Sequence, residues 1–203
     1  MKTALSPLER TLKRLLDLVL ALALLALTWW LILGAWVGAA LSTGMNGFFL
    51  QERVGQWGRR FRVIKLRTMK PSASFQTTTT TARDPRITPF GAWMRRTKVD
   101  ELPQLFNVLA GQMSFVGPRP DVPGFADRLE GEDRAILSLK AGITGPATLH
   151  FRDEETLLAA QADPEAYNRE VIWPHKVRLN LDYIHDYSIW KDLGYILRTA
   201  LGR

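Results

Sequence analysis

Two adjacent carboxylates, Asp100 and Glu101, stand in a basic segment from Arg95 to Pro120. Arg95 and Arg96 come just before them, and Arg119 lies between Pro118 and Pro120. Leu102, Leu105, Phe106 and Leu109 recur at helical spacing, with Pro103 suited to a first turn and Gly111 to a stop. Thr97 and Asp100 also fit a capping pattern that would start the helix three residues earlier. In either register the pair sits near the positive end of a helix and beside cations, which favours ionised carboxylates. An ionised carboxylate can act as a nucleophile or bind a metal. Acidic residues in a first turn also serve as plain caps, so both readings stand at this point.

The elements that must position this pair lie on either side of it. Residues 48–69 read as a β-hairpin, with alternation through Phe61–Arg67 and a turn marked by Gly55 and Gly58. Lys65 and Arg67 would share one strand face, as a phosphate site or a solvated face. Residues 71–82, rich in threonine and serine, read as a mobile loop. Residues 90–96 read as a short basic, aromatic helix. Beyond Pro120, helices are expected over 132–140, 153–162 and 165–187, with a tight loop at 142–146. Ser188 would cap a final amphipathic helix with an apolar stripe of Trp190, Leu193, Ile196, Leu197 and Leu201. The stripe suits core packing or a bilayer surface, and core packing is expected for its centre.

A membrane element precedes all of this. From Leu18 to Gln51 there are 34 residues without a charge, more than the ~20 that a spanning helix needs. Arg10, Lys13 and Arg14 flank the run on one side and Arg53, Arg59 and Arg60 on the other. Basic flanks prefer the cytoplasmic side, so both ends belong there, which a re-entrant helix satisfies and a single crossing does not. Thr28, Trp29 and Trp30 mark the expected bend. Asp17 is expected at headgroup depth or paired with Lys13 or Arg14.

The whole chain has 203 residues and a formal charge of +7, without cysteine. Disulfides, thiol catalysis and cysteine-bound metals are therefore excluded. Its three histidines, at 150, 175 and 185, show no ligand spacing. Residues 51–203 hold 23 basic and 18 acidic side chains, so the positive excess belongs mainly to the body, where it suits anionic headgroups. No nucleic-acid partner is expected beside so long an uncharged run.

In this order the motifs resemble the bacterial sugar transferases, the monotopic phosphoglycosyl transferases. They are Lys13–Asp17, Gln51-Glu52-Arg53-Val54-Gly55, Lys65-Leu66-Arg67-Thr68-Met69, Asp100–Leu105 with Asn107-Val108-Leu109, Met113–Pro120 and Gly142-Ile143-Thr144-Gly145. The resemblance implies transfer of a sugar-1-phosphate from a UDP-sugar to undecaprenyl (polyprenyl) phosphate with release of UMP. That step begins a lipid-linked glycan for capsule, exopolysaccharide, O-antigen or glycoprotein. It implies Asp100 as nucleophile in a covalent phosphosugar intermediate, and Glu101 as a Mg2+ ligand or proton carrier, with Asp100 also near the metal. Lys65, Arg67, Arg95 and Arg119 would contact phosphates. The implied fold is α+β and mostly helical: a re-entrant membrane helix (1–47), then a β-hairpin and a small cytoplasmic catalytic domain with interfacial amphipathic helices (48–203). The implied location is the cytoplasmic face of the bacterial inner membrane, in contact with lipid, and a homo-oligomer is compatible with it. Three positions depart from the usual pattern: no Ser-Pro pair near Thr28–Trp30, Gln112 in place of an acidic residue, and Asn180 or Asp182 where some members carry an aspartate. The rival reading is a non-catalytic membrane-surface scaffold that binds anionic lipid or a partner.

Overall fold

The computed structural model describes residues 3–71 and 84–202. The loop expected over 71–82 therefore lies, from position 72 on, outside the described residues. Helix α1 (Pro7–Thr43) opens with a capping box, in which Ser6 and Glu9 satisfy each other's backbone N–H, and closes at Gly44 in the left-handed conformation. At ~1.5 Å per residue it is about 55 Å long, and it is long and apolar enough to cross a membrane. Lys13, Asp17, Ala21, Ile32, Ala35, Ala39 and Thr43 are buried, a stripe at three- and four-residue spacing that joins α1 to the body near both of its ends. The rest of its surface is exposed and apolar, with Leu27, Trp29, Trp30 and Leu41 prominent. The helix runs through the expected bend without a break. There the Thr28 hydroxyl donates to the Leu24 carbonyl and the Trp30 indole to that of Leu27.

The hairpin follows as expected. Strands β1 (Phe48–Val54) and β2 (Arg60–Leu66) pair antiparallel from Phe48 opposite Leu66 to Val54 opposite Arg60. Helix α2 (Pro89–Thr97), capped by Thr88, packs on α1 where Gly38 meets Phe90; a Cβ at Gly38 would lie 2.5 Å from the Phe90 ring. After α2 come a 3-10 turn (Val99–Glu101) and α3 (Gln104–Leu109), which ends before Gly111 at positive φ.

Strands β3 (Met113–Val116) and β4 (Ala141–Thr144) form a parallel pair. The tight loop expected at 142–146 is largely this strand. All four β3 residues are buried, so neither face alternates in polarity and the period-2 signal is missing. The helix expected over 132–140 is a 3-10 helix (Gly131–Ser138) in the connection. Short helices α4 (Pro146–His150), α5 (Glu154–Ala159) and α6 (Pro164–Tyr167) lead through a π-helical turn at 168–172 into α7 (Trp173–His185). The one helix expected over 165–187 is thus a composite.

Helix α8 (Ile189–Ala200) starts at the Ser188 cap as expected. Of its stripe, Ile196 at the centre packs against the core as expected, while Trp190, Leu193, Leu197 and Leu201 are exposed, Trp190 at 77%. The inward face is set instead by Asp192, which is buried at 1% exposure and carries the polar contacts to α1 and α7. The main core gathers Val63, Leu105, Val108, Met113, Phe115, Val116, Ala141, Tyr183 and Ile184 under the start of α1.

Asp17 is buried with the charge of Lys13 acting on it, as one branch of the expectation had it, and among the described residues it forms no ion pair with Arg14. It accepts from the Ser114 hydroxyl at 3.0 Å and the Phe115 N–H at 2.9 Å. Arg14 donates to the Val108 and Leu109 carbonyls at the end of α3. The start of α1 is thus inside the body, where each charge needs a fixed partner.

Candidate active site

Asp100 and Glu101 owe their position to a sharp reversal. Lys98 adopts the left-handed conformation (φ 59°) and ends α2, its N–H reaching the Arg95 carbonyl. Thr97 does not cap the next turn, because its hydroxyl donates back to the Trp93 and Met94 carbonyls. Val99 is buried in the cluster around Leu66, Met94 and Ala39, so the turn is fixed at its base. The two carboxylates project from there into different surroundings.

Glu101 is partly buried and held by cations. Its Oε1 accepts from Lys65 Nζ at 2.8 Å and lies 3.5 Å from Arg119 Nη2. Burial opposes its ionisation, yet Lys65 and Arg119 outweigh burial and hold the carboxyl well below the usual range. Asp100 is buried, and its Oδ1 has no hydrogen-bond partner among the described residues. Burial first, and then the charge of Glu101, push its carboxyl up to about 6, against Lys65, Arg95 and Lys98. The expectation that position favours both ionised forms therefore holds for Glu101 and fails for Asp100. Desolvation and a like charge next door outweigh the turn's dipole.

The supporting residues come from distant parts of the chain. Lys65 arrives on β2, whose edge is clamped to α3 by Asn107. That side chain accepts from the Ile64 N–H at 3.0 Å and donates to the Arg62 carbonyl at 2.8 Å. Gln112 completes the clamp by accepting from Asn107 Nδ2 at 2.7 Å, a role an amide fills as well as an acid. Arg119 is placed by a backbone crossing in which Gly142 N–H donates to Pro118 O and Gly117 N–H to Thr144 O. A Cβ on Gly117, Gly142 or Gly145 would fall 2.2–2.4 Å from backbone atoms of this crossing. Those glycines permit chain against chain and not chain against ligand.

The structure thus gathers Asp100, Glu101, Lys65 and Arg119, with Arg95 acting on Asp100 from the end of α2. Arg67 is elsewhere: its guanidinium donates to the Asn46 and Phe48 carbonyls and lies over the Phe49 ring. It braces the exit of α1 against the hairpin. Two residues without an assigned role also reach the site. Arg53 lines the same cleft as Lys65, Glu101, Gln104 and Arg119. Asp121 lies behind it; burial pushes its carboxyl up to about 6 against Lys176, Arg53 and Arg119. The Gln51–Gly55 motif and the position next to Pro120 were the available signals for them. Asn180 is buried on α7 with an unpartnered Oδ1, whereas Asp182 is exposed.

Mg2+ commonly takes one or two carboxylates and completes its shell with substrate phosphate oxygens and water. The adjacent carboxylates, with the free acceptor Asp100 Oδ1, fit that donor set. Among the described residues no group of three or more His, Cys, Asp or Glu side chains forms an all-protein metal site.

A family model described as bacterial sugar transferase matches residues 8–202. The UDP-glucose:undecaprenyl-phosphate glucose-1-phosphate transferase of Xanthomonas campestris pv. campestris is 37% identical over 195 residues, which is 93% of this chain and 38% of that protein. The protein of that name from Escherichia coli (strain K12) is 33% identical over 98% of this chain and 41% of its own length. The one from Caulobacter vibrioides is 34% identical over 93% of this chain and 68% of its own length. The chain therefore spans from under half to about two thirds of the length of these relatives.

Proposed function

The chain belongs to the bacterial sugar transferase family, and on that footing we propose that it moves a sugar-1-phosphate from a UDP-sugar to undecaprenyl phosphate and releases UMP. The observation that carries the reading is the split pair. Glu101 is neutralised by Lys65 and Arg119, while Asp100 keeps a buried, unpartnered oxygen. A cap would be bonded to backbone N–H groups. A poorly solvated carboxylate oxygen that has no hydrogen bond to give up is suited to attack.

In the first step an Asp100 carboxylate oxygen attacks the β-phosphorus of the UDP-sugar. A bond forms between that oxygen and phosphorus. The bond from phosphorus to the α,β-bridging oxygen breaks, and UMP leaves with the electron pair. In the second step the phosphate oxygen of undecaprenyl phosphate attacks the same phosphorus and Asp100 leaves as a carboxylate. Lys65 and Arg119 supply positive charge along the diphosphate, and Arg95 does so on the Asp100 side. Asp100 and Glu101 would hold Mg2+, which neutralises phosphate charge when bound.

One reacting phosphate is soluble and the other sits at a bilayer surface, so the site belongs at the headgroup plane. The exposed apolar faces of α1 and α8 and the body's positive excess support that placement. Both ends of α1 are tied to one body and both flanks are basic. We read both ends of α1 as lying on the cytoplasmic side, which for a helix without a break at Thr28–Trp30 requires curvature along its length and not a sharp bend. Cysteines introduced at positions 2 and 56 should then label from the cytoplasmic side alone, and labelling of one site from the other side would exclude this topology.

The activity test is UMP release by the membrane-reconstituted chain with Mg2+, a panel of UDP-sugars and undecaprenyl phosphate. Asp100→Asn should abolish release from the active donor. Undiminished turnover in that variant would remove the nucleophile role, and no release from any donor would favour the scaffold reading.

A further inference from the structure

Arg53 is the cation in the cleft that the mechanism above leaves unused. It is partly buried on β1 and lines the cleft with Lys65, Glu101, Gln104 and Arg119. Its hydrogen bonds go to neutral acceptors: Nη1 to the Pro120 carbonyl at 3.1 Å and Nη2 to the Gln51 side-chain oxygen. Among the described residues it forms no ion pair. Burial, and next the neighbouring charge of Arg119, make its protonated form less favourable than usual, offset only in part by Asp121 and Glu101.

Such an arrangement is costly in the free protein. A guanidinium withdrawn from water and set beside another is stable only when the fold holds it there or an anion joins the two. The fold does hold it. The Pro120 carbonyl that Arg53 grips is next in sequence to Arg119, and the Val54 N–H bonds the Asp121 carbonyl at 2.9 Å. Strand β1 and the 117–121 segment are thus locked side by side, each presenting a guanidinium to one cleft. The Arg119 side chain stays 43% exposed, so the pair is reachable from solvent.

We propose that Arg53 and Arg119 form a two-guanidinium cradle for a single phosphate monoester, on the Glu101 side of the carboxylate pair. This rests on the transferase reading. Two phosphate monoesters occur in that reaction, the departing UMP and the acceptor lipid phosphate, and planar forked donors suit either. Arg53 here binds the phosphate that does not carry the sugar, while Lys65 and Arg95 serve the one that Asp100 attacks.

The test uses the full chain in detergent or nanodiscs, with Arg53→Gln and Arg53→Lys. UMP binding is measured by calorimetry, and the KM for undecaprenyl phosphate by turnover at saturating UDP-sugar. Loss of a charge-assisted contact should weaken one of them about ten- to a hundredfold in Arg53→Gln. Arg53→Lys should recover part of it. Weakened UMP binding assigns the cradle to the leaving nucleotide; a raised acceptor KM with unchanged UMP binding assigns it to the lipid phosphate. Ligand-free Arg53→Gln gives up the bond to Pro120 while relieving the repulsion from Arg119, so the signature is the ligand effect: it should lose the parent's stabilisation by UMP or by a short-chain polyprenyl phosphate. Parent-like UMP binding and acceptor KM in Arg53→Gln would overturn the cradle. So would a lowered melting temperature with ligand stabilisation intact, which would make Arg53 a structural prop. Either result would leave the transferase reading standing if Asp100→Asn still abolishes UMP release.

Discussion

At the foot of α1, Lys13, Asp192, Tyr183 and Tyr187 make a buried polar knot in which each charge has a partner. Lys13 Nζ lies 2.7 Å from Asp192 Oδ2 and 3.2 Å from the Tyr183 hydroxyl. Both tyrosine hydroxyls donate to Asp192. The Val99–Glu101 turn is built differently. One carboxylate there is matched by two cations, and its neighbour is buried with an empty acceptor. Similar burial of similar groups thus serves two ends. The knot offsets desolvation with fixed partners and fastens α1 to the body. The turn keeps some of that cost in place at the oxygen proposed to react.

Breaking either region should give opposite signatures. Asp100→Asn should lower UMP release on the order of a thousandfold or more without loss of melting temperature, read by turnover and thermal unfolding on the same sample. Asp192→Ala should instead fail through stability. It leaves Lys13 charged and buried, a change that costs roughly 3–5 kcal/mol, so the variant should unfold or fail to assemble in detergent. A folded but inactive Asp192→Ala would erase the distinction between the two regions.

The next effect is a pH dependence confined to the turn. With Asp100 at about 6, its ionised fraction rises about tenfold per unit below that point. UMP release in the first half-reaction should climb with pH and level off above about 6, or at lower pH where Mg2+ at the pair favours the ionised carboxylate. A profile still rising past pH 8 would assign the titration to another group. Stability moves the other way. The folded carboxyl binds its proton more tightly than the ordinary Asp of an unfolded chain, so stability falls as pH rises from about 4 to 6 and stays lowered above. Asp100→Asn should therefore gain on the order of 2 kcal/mol at pH 7–8 and little at pH 4, measured by denaturant unfolding. Loss of stability in that variant at pH 8 would place Asp100 with the structural knot.

The smallest effect is at the surface. Leu197 is exposed at 59%, so Leu197→Ser should change stability by no more than about 0.5 kcal/mol. It should reduce partition onto anionic vesicles several-fold, read by co-sedimentation. Unchanged partition would remove α8 from the membrane-facing surface.

Much of this was legible because it is local. The hairpin follows from alternation and two glycines, the Ser188 cap from one hydroxyl, and the carboxylate turn from Asp100-Glu101 between basic residues. What the residues do across the fold was less legible. Asp17 finds its partners 97 and 98 positions away, and no local pattern announces them. Strand β3 is buried on both faces and so carries no alternation. The stripe of α8 is a true helical period, but period alone does not say which face turns inward, and one buried Asp192 decided it. Arg67 shares strand spacing with Lys65 yet is captured by the Asn46 and Phe48 carbonyls. The ionisation of Asp100 depends on how deeply the turn is buried, which the dipole argument leaves out. Arg53 lay inside a quoted motif, but its place beside Arg119 emerges only when β1 meets the 117–121 segment.

Whether Asp100 takes the phosphosugar onto its own oxygen is tested most directly by a single-turnover incubation with the active UDP-sugar and Mg2+ but no lipid acceptor, followed by intact-mass and peptide-mapping spectrometry. A burst of one UMP per active site and a sugar-phosphate adduct on the peptide that contains Asp100 are expected. UMP that appears only when undecaprenyl phosphate is added, with no adduct at any time, would contradict that transfer.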